Sequence, residues 1–76
     1  METNKLSVGL TVRGAVQDNG HTSEYIGTTR FDAPIDIALK DLQESLLAVQ
    51  ENLIKVNSTE KHPLIIKHVI ITLTYD

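Results

Sequence analysis

The strongest constraint in this sequence is a turn. Asp18-Asn19-Gly20 separates two segments that alternate apolar and polar residues, and Asn-Gly accepts the positive φ angles of a two-residue type I′ hairpin loop. A loop at Asn19-Gly20 pairs Asp18 with His21 and thereby fixes every other pair. Val8 then faces Phe31, Leu10 faces Thr29, Val12 faces Gly27 and Gly14 faces Tyr25. On the opposite side Arg13 faces Ile26, Thr11 faces Thr28 and Gly9 faces Arg30. The large apolar residues fall on one side of the ribbon, whereas a slip of one residue would turn Tyr25 and Phe31 to the polar side. Turn and pattern agree, so the sequence predicts a hairpin of strands 5–16 and 21–32.

A helix follows. Asp32-Ala33-Pro34 reads as its start, an acidic cap followed by a proline in the first turn, where no N–H is needed. Ile35, Leu39, Leu42, Leu46, Val49, Leu53 and Val56 recur at alternating spacings of four and three. The spacing predicts a helix over 34–56, supported by the Asp36–Lys40 and Glu51–Lys55 pairs, with the acid first in each. Asn57 is placed as a left-handed terminator before a loop at 58–63.

The last segment, 64–75, is rich in β-branched residues and reads as a third strand. The order is β-β-α-β. The expected fold is α+β: a three-stranded, mainly antiparallel sheet in the order 2-1-3, with one long helix packed on one face. A place for the third strand beside the second is the alternative, and either arrangement predicts a right-handed crossover.

Composition narrows the classes. A chain of 76 residues, 41% hydrophobic, makes one globular domain, 1–76. It has no cysteine, hence no disulfide framework, thiol nucleophile or thiolate metal site. Seven Lys and Arg against ten Asp and Glu give a net charge of −3, which disfavours a generic nucleic-acid binder. The apolar run at 64–75 is too short for a membrane span and carries Lys67. The first residues hold no signal-peptide core, so the expected location is cytoplasmic, with no membrane partner.

One surface looks unfinished. One helix shields one face of a sheet, taken here to carry Val8, Leu10, Val12, Tyr25, Phe31 and the odd-numbered residues of the third strand. The other face would hold Thr11, Arg13, Thr28, Arg30, His68 and Thr72, and also Ile26, Ile66 and Ile70. Leu47 and Ile54 lie about 100–120° from the centre of the helix stripe. In the order 2-1-3 the third strand is an edge, and a long apolar edge strand invites pairing. Leu47, Ile54, Ile66, His68 and Ile70 are therefore the candidate oligomer interface, with the third strand paired to its symmetry mate in a continuous sheet. His68 near a two-fold axis would make such an assembly sensitive to pH.

Chemistry-bearing residues are sparse. His21, His62 and His68 are too dispersed along the chain to converge on one metal ion. Ser7, Ser23, Ser45 and Ser58 sit in no nucleophile elbow. Asp41 and Glu44 read as a solvated helix face, and no glycine-rich phosphate loop exists. Asn57-Ser58-Thr59 matches a glycosylation acceptor and reads as helix terminator and loop. No catalytic residue, metal or cofactor is expected. A cationic patch of Arg13, Arg30, Thr11 and Thr28 is the candidate ligand site, with chemistry suited to a phosphate or nucleotide.

The β-β-α-β order is shared by many small α+β domains and licenses no function on its own. The expectation is a small non-enzymatic interaction or regulatory protein acting as a homodimer or higher even oligomer with an unknown protein partner, of the kind found among phage or bacterial accessory proteins. A binding module for a small anionic ligand through Arg13 and Arg30 is the first alternative. A nucleic-acid-binding oligomer is the second.

Overall fold

The computed structural model describes residues 4–75. Strand β1 spans Lys5–Asp18, β2 spans His21–Pro34, helix α1 spans Ile35–Asn57 and β3 spans Ile65–Tyr75. The sheet order is β2-β1-β3, and β1 is antiparallel to both neighbours. The fold is α+β, with α1 packed on one face of β1 and β2.

The hairpin has the register dictated by its turn. Asp18 pairs with His21, Val8 with Phe31 and Gly14 with Tyr25. Asn19 and Gly20 hold φ angles of 51° and 84°, the left-handed pair that matches the twist of the flanking strands. Leu6, Val8, Leu10 and Val12 of the central strand are buried beneath the helix.

The helix does not begin where an acidic cap would place it. β2 runs on to Pro34, which is the N-cap residue and gives no side-chain cap, while Asp32 stays in the strand and accepts a hydrogen bond from Ser7 Oγ. A cross-strand hydroxyl partner has taken the carboxylate that the helix N-terminus would otherwise use. Nor does Asn57 adopt the left-handed conformation. It is helical, and its Nδ2 donates to Leu53 O at 3.1 Å. Ser58 then ends the helix in an extended conformation, with its N–H bonded to Ile54 O at 2.8 Å and its Oγ accepting from Leu64 N at 2.9 Å. The loop is tied down further by His62, whose Nδ1 lies 3.2 Å from Gln17 O and whose Nε2 lies 3.5 Å from Asp18 Oδ1.

The strict alternation read for the third strand also breaks. From Tyr75 to His68 it pairs with Leu6 to Arg13 in step. The register then shifts, so that Ile66 pairs with Gly14 and Ile65 with Ala15. Lys67 is the extra residue of a bulge, and a bulge exchanges the faces on its two sides. Ile66, read as outward-facing, therefore lies on the helix side and packs against the core of Val12, Val16, Leu53 and Leu64. Ile65 turns outward. Gly14 explains the site of the bulge. A Cβ there would lie 2.6 Å from Leu64 Cδ2 and 3.1 Å from Ile65 O, so only a bare backbone lets the chain re-enter the sheet beneath Leu64.

Gly14→Ala is expected to destabilise the fold by about 1–3 kcal/mol through overpacking against Leu64 and the Ile65 carbonyl. Chemical denaturation followed by circular dichroism measures this. Unchanged stability would show that the Leu64 seat is not tight.

Candidate functional site

The sheet presents two faces whose rows follow from the pairing. On the helix side the β2-β1-β3 rows are Phe31-Val8-Leu73, Thr29-Leu10-Ile71 and Gly27-Val12-Val69. On the outer side they are Asp32-Ser7-Thr74, Arg30-Gly9-Thr72, Thr28-Thr11-Ile70 and Ile26-Arg13-His68.

The helix-side rows are covered unequally. α1 packs on β2 and β1 but makes little contact with β3. Val12 and Val69 are neighbours in one row, yet Val12 is 0% exposed and Val69 is 38% exposed. The same step separates Val8 from Leu73 and Leu10 from Ile71. The physical cause is width. Three strands span roughly 14 Å, while a helix with its side chains is about 10–12 Å across and presses only its central strip to the sheet.

The helix stripe divides accordingly. Ala38 and Leu53 are buried, Leu42 and Val49 are half-buried, and Leu39 is 51% exposed. Ala48 and Asn52 line the groove beside Ile26 and Thr28 of β2. At about 100° per residue Leu39 lies on the opposite flank, above β3. α1 also approaches β2 closely: a Cβ on Gly27 would sit 3.0 Å from Val49 Cγ1. The helix is thus held toward the β2 edge, and the β3 side is left open.

The expected interface residues do not form one surface. Leu47 and Ile54 are exposed on the helix, Ile66 is half-buried in the core, and His68 and Ile70 lie on the outer face. The residues that do share one apolar side are Val69, Ile71, Leu73 and Tyr75, and helical geometry puts Leu39 on the flank of α1 turned toward them. Periodicity had placed these in the core. The signal that could have found them is the arithmetic of one helix against three strands.

The expected ligand residues are all on the outer face but not around one point. Thr11 and Thr28 are direct partners. Arg30 shares an open groove with Ser7, Gly9, Thr11, Thr28, Thr72 and Thr74. Arg13 lines a different one with Gln17, Thr22, Glu24, Lys67 and His68, and its Nε is buried without a hydrogen-bond partner among the described residues. Arg30 pairs with Gly9, so the two arginines stand four residues apart along β1, a separation of about 14 Å between their backbones. That spacing does not suit a shared phosphate. Among the described residues no group of three His, Asp or Glu could hold a metal ion. No helix among the described residues is long and apolar enough to cross a membrane.

No protein-family model, curated protein or solved structure matches the chain.

Inorganic phosphate and nucleotides are expected to leave the melting temperature of the protein unchanged in a thermal-shift screen. A shift that disappears in the Arg13→Ala, Arg30→Ala double variant would restore the anionic-ligand site.

Proposed function

We propose that this chain is a non-enzymatic interaction protein that works in the cytoplasm as a homo-oligomer, in a regulatory or accessory role. The observation that carries the reading is the bare helix-side face of β3. Val69, Ile71 and Leu73 stand in the same rows as the core residues Val12, Leu10 and Val8, yet they are 38%, 43% and 39% exposed. Apolar surface is stabilising when removed from water, at about 25 cal/mol per Å². A contiguous apolar strip of this kind marks a contact surface.

The dimensions support the same reading. A compact chain of 8.4 kDa exposes about 4,600 Å². This one exposes 5706 Å², about a quarter more. Its radius of gyration is 15.2 Å, against about 11.4 Å for a compact domain of this length. The molecule measures 58 × 16 × 12 Å, a thin slab with too little interior for its surface. Small chains without disulfide or metal commonly gain the missing burial by association.

Light scattering at micromolar concentration is expected to give twice the 8.4 kDa chain mass or a higher even multiple. The mass should survive raised salt, because the surface is apolar rather than ionic. Ile71→Ser is expected to reduce the mass to that of one chain while leaving the circular dichroism spectrum intact. A wild-type protein that scatters as a single chain at this concentration would overturn the proposal.

A further inference from the structure

We infer that two copies associate face to face, with their helices side by side in one layer and each helix covering the partner's β3. The inference rests on the self-association proposed above and specifies its geometry, with a second copy of this chain as the occupant of the open side.

The vacancy has a shape. Its floor is Val69, Ile71, Leu73 and Tyr75, and its wall is the Leu39 flank of α1. Helices pack with axes about 8–10 Å apart, close to two strand spacings, so a rod beside α1 would lie over β3. The occupant must be one helix wide and apolar on two sides, one for the floor and one for the wall.

α1 offers apolar residues toward both, although Lys40, Glu44 and Glu51 stand beside Leu47 and Ile54 on the side turned away from its own sheet, where their aliphatic stems can lie on the floor and their charges reach the rim. Leu39 and Leu46 lie on its β3 flank, while Leu47 and Ile54 lie on the side turned away from its own sheet and are 59% and 40% exposed. A two-fold axis running parallel to the helices and between them inverts one chain over the other. Each α1 is then held between its own β1-β2 pair and the partner's β3. Leu47 and Ile54 meet the partner's floor, and identical residues on the two Leu39 flanks stand opposite one another. This accounts for Leu47 and Ile54, which are exposed on the side of the helix that its own sheet does not reach. The surplus of exposed area, about 1,100 Å² per chain, exceeds the roughly 800 Å² per partner of a stable interface.

Edge pairing of β3 with its mate fits less well. Each helix would stand about two strand spacings from the dyad, so the two axes would be roughly 19 Å apart with the apolar floor still wet between them. The edge is also interrupted by the bulge at Lys67, and bulges and lysines are devices that discourage edge-to-edge pairing.

The sequence has no cysteine, so single-cysteine variants of the full chain report the arrangement directly. Leu39→Cys and Ile70→Cys are treated with a short bismaleimide after light scattering has given the mass of each. Efficient dimer cross-linking at position 39 and little at position 70 is the expected result. Cross-linking at 70 without 39, or at neither position in a protein of dimer mass, overturns the face-to-face geometry and leaves self-association standing. Single-chain mass for both variants and for the wild type overturns both. Leu47→Glu, at a site exposed within the chain, provides a second readout: it is expected to give monomers with an unchanged circular dichroism spectrum. Dimers that persist in Leu47→Glu contradict the inference.

Discussion

One helix lies over three strands, and this disproportion governs the rest of the structure. α1 has a contact strip wide enough for two strands, and the close approach of Val49 to Gly27 holds it toward β2. β1 is therefore buried almost completely on its inner side, β2 is half-buried, and β3 beyond its bulge is exposed on both faces. Val69, Ile71, Leu73 and Tyr75 beyond the bulge are all exposed, although their row partners Val12, Leu10, Val8 and Leu6 on β1 form the core. A chain of this size has little stability to spare. Leaving that much apolar surface in water weakens the principal force that holds the fold together.

The bulge at Lys67 shows how local structure decides which residues face the vacancy. Leu64 needs the bare backbone at Gly14 to enter the core, and Ile66 follows it inward. One extra residue then resets the alternation, so that Val69, Ile71, Leu73 and Tyr75 share the helix side while His68 and Ile70 face outward. Without the bulge, either Ile66 would leave the core or the Val69–Tyr75 set would turn to the polar face. Lys67 thus joins two strand segments that serve different purposes, one completing the core and one presenting a surface.

Much of the architecture was legible in the residues. The Asn19-Gly20 turn sets the hairpin register because side-chain alternation has a period of two, and a helix long enough to return the chain left two places for the third strand, of which the expected one, beside β1, is the one it takes. The bulge was not legible, because it depends on the seating of Leu64 against Gly14, a tertiary contact with no periodic signature. The cap at Asp32 was misplaced because Ser7, distant in sequence, holds its carboxylate. The helix stripe was read as wholly buried because periodicity shows which residues share a side, not how much of that side a neighbour covers. Leu39, a member of the stripe, is 51% exposed for that reason, while its neighbour Ala38 is buried. The ligand patch was legible as a face but not as a site, since alternation gathers Arg13 and Arg30 on one side without bringing them to one point.

On the proposed association, burial that is incomplete in one chain is completed by another. The most direct test of that association is thermal unfolding of the wild-type protein across a hundredfold range of concentration. If association supplies the missing burial, unfolding is coupled to dissociation and the midpoint rises with concentration. A midpoint that stays constant across the whole range, in a protein that unfolds reversibly, would show that one chain folds without the burial a second would add.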